Sequence, residues 1–140
     1  MVKLDRFVVS ILLLILVGAV TACNNDDEND VDNSLRNKLI KAWTLDDNGF
    51  VKLYEVDITT EYDVLEYTFK SDGSYTRNVN GDISSGTWRE TDKTFTTLVL
   101  DDHLYVNILE LTSETLRFTY INPGGRAKGV GEYEIRLSPK

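Results

Sequence analysis

The side chains able to do chemistry are few and widely spaced. The chain has one histidine and one cysteine in 140 residues, so a zinc site, which wants several His or Cys ligands, is not expected. His103 stands in the turn-like stretch DDHL beside Asp101 and Asp102. Adjacent residues in a turn seldom converge on one ion, and the expectation is a solvated loop residue. No serine occupies a nucleophile-elbow setting, and the lone histidine is remote from any such position, so a hydrolase triad is not expected either. Carboxylates abound, with Glu66, Glu110 and Glu114 on strands or turns, but they read as a charged outer face rather than a defined acid–base pair. The stretch PGGRAKGVGE, 123–132, holds glycines and two bases. A phosphate cradle needs its glycines to open a helix after a strand, whereas this stretch enters a strand, so it reads as a flexible hairpin loop. The sequence therefore points to no catalytic residue, no cofactor and no metal, and the chain is not expected to be an enzyme.

The cysteine is a different matter. Lys3 and Arg6 form a short basic region, Phe7 to Val20 an apolar run, and small residues lead into Cys23. As a helix the apolar run would span about 21 Å, short of the roughly 30 Å hydrocarbon core, so an export signal is favoured over a permanent membrane span. Val20, Thr21, Ala22 and Cys23 resemble the lipobox of bacterial lipoproteins, in which the cysteine receives diacylglycerol and fatty acyl chains such as palmitate. A lone cysteine in an exported chain has no intramolecular partner, and two or three acyl chains hold a membrane where one holds weakly. With Cys23 spent on lipid, the domain has no disulfide and folds on packing alone.

The run NNDDENDVDN, 24–33, has one aliphatic residue and five acids. It has too little apolar surface to repay ordering and reads as a disordered tether. Its acids Asp26, Asp27 and Glu28, just behind the cysteine, resemble the surface-export signal of lipoproteins in the Bacteroidota, which implies the cell-surface face of the outer membrane; a plain solvated spacer is the alternative. The expected organisation is a signal peptide at 1–22, a lipidated cysteine and tether at 23–33, and one domain at 34–140. Residues 1–22 carry Lys3, Arg6 and Asp5, so removing them leaves 13 basic and 22 acidic side chains. That balance repels phosphates and offers no basic patch, so nucleic acid is not an expected partner.

The elements that must position any site follow from periodicity. Leu35, Leu39 and Ile40 recur at helical spacing through SLRNKLIKAW, predicting a short helix. From Trp43 onward the period changes to two. Leu65, Tyr67 and Phe69 share one face of DVLEYTFK; Leu116, Phe118 and Tyr120 share one face of TLRFTY; Tyr133, Ile135 and Leu137 share one face of GEYEIRL. In KTFTTLVL and LYVNILEL both faces carry apolar residues, which leaves the orientation open and suggests a bulge or a second covered face. Turn residues recur every eight to twelve positions, among them DDNG at 46–49, SDG at 71–73 and NGD at 80–82. The count is eight or nine antiparallel strands, an all-β small closed barrel preceded by a short N-terminal helix.

LIKAWTLD, YTFKSDGSYTRN, SGTWRETDKTFTTLVL and YVNILELTSETLRFTY are similar to the lipocalin-like domain of Bacteroidota lipoproteins, from about Leu39 to Leu137. Ala42 departs from the pattern, standing where related sequences tend to have glycine before the tryptophan. The resemblance implies an up-and-down barrel with one open mouth, and no particular ligand. Such a barrel is just wide enough to be filled by side chains or to hold one small ligand, and five Phe, seven Tyr and two Trp favour filling. Tyr67, Phe69, Tyr75, Arg77, Trp88, Phe118 and Tyr133 are the candidates for the interior or a ligand lining.

Arg77 breaks the pattern, because Tyr75, Arg77 and Val79 share a face by period two. Three settings suit it: the rim, with its head in water; an internal salt bridge to a carboxylate such as Glu110; or contact with a bound anion. The functional expectation is a lipid-anchored outer-membrane protein whose barrel binds a small hydrophobic or amphipathic ligand; the alternative is a protein-interaction or accessory subunit of an envelope complex with a filled barrel. A void of several hundred cubic ångströms favours the first, and a packed interior with an exposed apolar patch favours the second.

Overall fold

A computed structural model describes residues 34–122 and 131–140. Cys23, Asp26, Asp27, Glu28 and most of the glycine-rich stretch lie outside the described residues. A helix α1 (residues 34–39) precedes ten strands: β1 (Ala42–Thr44), β2 (Phe50–Leu53), β3 (Val56–Asp57), β4 (Leu65–Phe69), β5 (Ser74–Val79), β6 (Asp82–Glu90), β7 (Thr97–Leu100), β8 (Leu104–Leu111), β9 (Leu116–Asn122) and β10 (Gly131–Pro139). One 3-10 turn (Thr59–Glu61) follows β3.

Eight strands close into an antiparallel barrel in the order β1-β4-β5-β6-β7-β8-β9-β10, with β10 returning to β1. The expected eight or nine strands become ten because the first barrel strand is interrupted by residues 45–49. Its continuation β2 then folds back on itself through β3. Strand β10 accordingly serves two partners, pairing Ser138 and Pro139 with β1 and residues 133–136 with β2.

Alternation puts one side chain in two inside. The β4 residues Leu65, Tyr67 and Phe69 are buried, as are Tyr133, Ile135 and Leu137 of β10. In β8 a register shift between Ile108 and Glu110 resets the period, which turns Leu109 outward while Ile108 stays opposite Phe118. In β7 Val99 is buried although it points away from the core, between Arg89 and Tyr105 as its cross-strand neighbours. This is the second covered face that the sequence leaves open.

The two ends of the barrel differ. At one pole α1 lies across the opening: Leu39 is fully buried, and the Trp43 indole N–H donates to the Leu39 carbonyl at 3.0 Å. Arg36 holds both Glu90 carboxylate oxygens at 2.7 and 2.8 Å, and its guanidinium lies 4.7 Å from the Trp88 ring centre. The β4–β5 and β8–β9 turns meet the helix region there, through Arg36 to the Ser71 carbonyl and Lys41 to the Ser113 carbonyl.

The opposite pole carries the β2–β3 and β5–β6 turns and has no such lid among the described residues. Residues 82–86 of β6 pair with β5 but, among the described residues, with no strand on their other side, because β7 reaches only Trp88 to Glu90. The β5–β6 hairpin therefore stands up as a flap on the wall at this pole, the mouth of the barrel as the described residues form it. Gly86 lies at its base, where a Cβ would collide with the Asp101 carboxylate.

Candidate functional site

The interior is best followed from the helix pole to the mouth. Tyr67, Phe69, Tyr75, Trp88, Phe118 and Tyr133 are all buried within the barrel. Their rings form one connected cluster: Phe69 meets Trp88 edge-on at 5.9 Å, Tyr67 meets Phe118 edge-on at 5.7 Å, and Tyr67 stacks loosely with Phe69 and Tyr75. Edge-to-face and offset pairs of this kind are the favoured aromatic geometries. The void left among Tyr67, Phe69, Leu98, Leu100, Val106, Ile108, Leu116 and Phe118 is about 10 Å³ and wholly apolar. That is no more than one water's worth of space. This part of the barrel is filled, as the aromatic composition suggests.

The character changes one step toward the mouth. Arg77 pairs across the sheet with Tyr67 on β4 and Ser84 on β6, so strand parity turns it inward. It does not sit at the rim with its whole head in water: its Nε has no accessible surface and no hydrogen-bond partner. Nor does it form the internal salt bridge, since no carboxylate among the described residues pairs with it. Glu110 instead lies in register with Arg117 on the far wall, and Arg117 binds Glu134 at 2.6 Å. The Arg77 guanidinium carbon lies 5.7 Å from the Tyr67 ring centre.

The groups that Arg77 feels most are phenols: Tyr67, Tyr120, Tyr75 and Tyr62. Burial works against its charge and the phenols work for it, with a net upward effect, so the guanidinium stays charged. The phenols do not neutralise it. Burial raises Tyr67, and Arg77 only partly opposes this. Burial followed by the Asp101 acceptor, 2.8 Å from the hydroxyl, raises Tyr75. Burial likewise raises Tyr120, which stacks on Tyr133 at 5.1 Å. Near neutral pH the mouth therefore presents one half-buried cation among uncharged aromatic hydroxyls.

Tyr62 and Tyr120 were not among the candidates for this site. Tyr120 is legible from the alternation of β9, whereas Tyr62 follows the 3-10 turn, where no period marks a face. His103 is exposed, with its Nδ1 2.6 Å from the Asp101 carbonyl oxygen. Among the described residues no group of three or more His, Cys, Asp or Glu side chains is arranged to hold a metal ion.

Large apolar side chains ring the same pole. Tyr54, Val56, Val64, Ile83, Tyr105 and Ile121 are exposed, Ile83 at 75%. All lie on turns or strand ends near the mouth. No known protein family, curated protein or solved structure matches the chain. The architecture is that of a closed eight-stranded antiparallel β-barrel, consistent with a lipocalin-like barrel.

Proposed function

We propose that the protein is a lipocalin-like lipoprotein of the cell envelope, anchored through acylated Cys23 and displayed on the outer membrane, and that its barrel works by binding at the open mouth rather than by catalysis. The ligand is a small amphipathic or hydrophobic molecule. The observation that carries the reading is the division of the barrel into a filled half lidded by α1 and an opposite half, without such a lid among the described residues, that keeps a half-buried cation with a sealed, unpartnered Nε among aromatic rings. A core with only structural duties would fill both halves with apolar groups, because an unpaired buried charge is costly. The lipobox residues Val20 to Cys23 and the apolar run before them support the anchor.

The test uses residues 24–140, which contain every described element of the barrel. Titration with Nile red, an uncharged environment-sensitive dye, should give a saturable fluorescence rise that octanamide competes away. Absence of saturable uptake would refute binding of small apolar molecules.

The exposed apolar rim favours a second reading, an interaction module for an envelope protein. Six large apolar side chains around one opening exceed the scatter of single exposed residues that any surface tolerates. In that case Ile83→Asp and Tyr105→Asp together would abolish co-purification of a partner from solubilised envelopes while leaving Nile red uptake unchanged.

A further inference from the structure

Arg77 is the interior charge that the fold does not explain. Its Nε is sealed from solvent and bonded to nothing, and no carboxylate among the described residues approaches it. The protein is not short of acids: it carries 23 Asp and Glu residues against 15 Lys and Arg. Other cations do find them, Arg36 with Glu90, Arg117 with Glu134 and Lys140 with Glu66. Asp101 gives one oxygen to the Tyr75 hydroxyl and the other to the Thr87 N–H.

The phenols that act most on Arg77 are those of Tyr67, Tyr120, Tyr75 and Tyr62; the Tyr75 hydroxyl is already given to Asp101, while Tyr67 and Tyr120 carry hydroxyls able to donate to an oxyanion. A planar guanidinium offers parallel N–H donors matched to two oxygens on one centre. Apolar Val79 follows on the same face of β5, and Tyr133 stacks on Tyr120 across the opening, so the surroundings of the charge are hydrophobic.

We infer that the barrel mouth is a binding site for a small monocarboxylate with an apolar body, whose carboxylate pairs with the Arg77 guanidinium and whose body packs on the surrounding tyrosine rings. The inference rests on the reading of the barrel as a binding module and adds the charge of the ligand. The inward-facing Arg77 cation, which no carboxylate among the described residues pairs with, matches one negative charge, and the aromatic surroundings match an apolar tail.

The experiment compares octanoate with octanamide, which has the same length but no charge, by isothermal titration of residues 24–140 at pH 7.5. Octanoate should bind at least about ten-fold more tightly, the scale of a charge-assisted hydrogen bond, and the difference should shrink as salt is raised. Arg77→Met should remove the preference while its thermal midpoint without ligand stays level or rises, since it deletes a half-buried charge whose Nε is sealed and unpartnered. Arg77→Lys should keep part of the preference, having the charge but not the fork. Equal binding of the two molecules by the natural chain would overturn the carboxylate site and leave the binding module standing. No binding of either, together with no Nile red uptake, would remove both. Unchanged octanoate preference in Arg77→Met would also overturn the inference, and the comparison on the natural chain decides the matter even if that variant fails to fold.

Discussion

Truncating Phe118 measures how solid the filled half of the barrel is. The ring is 3% exposed, lies opposite Ile108 on β8 and Ile135 on β10, and meets Tyr67 edge-on. Phe118→Ala removes a benzyl group from surroundings whose residual void is only about 10 Å³. A buried aromatic side chain hides about 150 Å² or more, worth about 3–4 kcal/mol at about 25 cal/mol per Å². Losing the edge-to-face pair adds about 0.5–1.5 kcal/mol. Its neighbours sit on hydrogen-bonded strands and relax little, so the expected loss is about 4 kcal/mol, within the usual range for Phe→Ala in a core. That is a large share of the roughly 5–15 kcal/mol holding a domain together. Urea unfolding followed by tryptophan fluorescence reads it: with a slope of about 1.5 kcal/mol per molar, the midpoint should fall by about 2.5 M at unchanged slope. The control is Ile121→Ala on the outer face, 61% exposed, which should cost no more than about 0.5 kcal/mol. A loss below about 2 kcal/mol for Phe118→Ala would show that the ring borders open space, and the packing argument for this half would fall.

Three further outcomes are expected. The mature protein should begin at Cys23 carrying acyl chains, read by mass spectrometry of the N-terminal peptide, and Cys23→Ala should leave uncleaved precursor in the inner membrane. Replacing Asp26, Asp27 and Glu28 with alanine should leave the protein lipidated but protected when intact cells are treated with protease; equal shaving would make the stretch a plain tether. Asp92 is held below its ordinary 3.8 first by hydrogen bonds from the Thr94 side chain and backbone. Its depressed value means that the stability it contributes is present above pH 3.8 and is lost as pH falls through the folded value; NMR titration should place its midpoint below 3.8, and Thr94→Ala should move it back up.

The parts of this structure that sequence makes legible are those where one local rule acts alone. Strands β4, β9 and β10 alternate cleanly because each has one face in the core. The β5–β6 turn is legible because Asn80 and Gly81 supply the left-handed pair, φ 52° and 95°, that a tight hairpin requires. Two other hairpins use the same conformation without its signature. Tyr54 and Glu55 turn between β2 and β3 at φ 50° and 66°, and Asp101 and Asp102 turn between β7 and β8 at 52° and 60°. Neither pair contains glycine, so tertiary contacts impose the turn: Asp101 is tied to Tyr75 and Thr87. The bulge in β8 hides its inward face for the same kind of reason. At the mouth, parity puts Arg77 inside, but it does not say which side chains come near it. Only closure of the sheet brings Tyr120 from β9 and Tyr62 from beyond the 3-10 turn to the same place. That no carboxylate among the described residues pairs with Arg77 is a property of the assembled barrel.

The lid of helix α1 also gives the molecule a direction. Residue 34 starts that helix, and Lys140 directly follows β10 and lies against β1 and β4, its N–H on the Ala42 carbonyl at 3.0 Å and its ammonium 2.7 Å from Glu66. Both are on the lidded pole. A tether leaving residue 34 therefore pulls from the base of the barrel, so a surface to which the chain is fastened at that point meets the base first and the mouth looks outward. A molecule arriving at the mouth would not have to pass the attachment, and a sensor chip or display scaffold joined at either residue 34 or residue 140 would leave the opening clear.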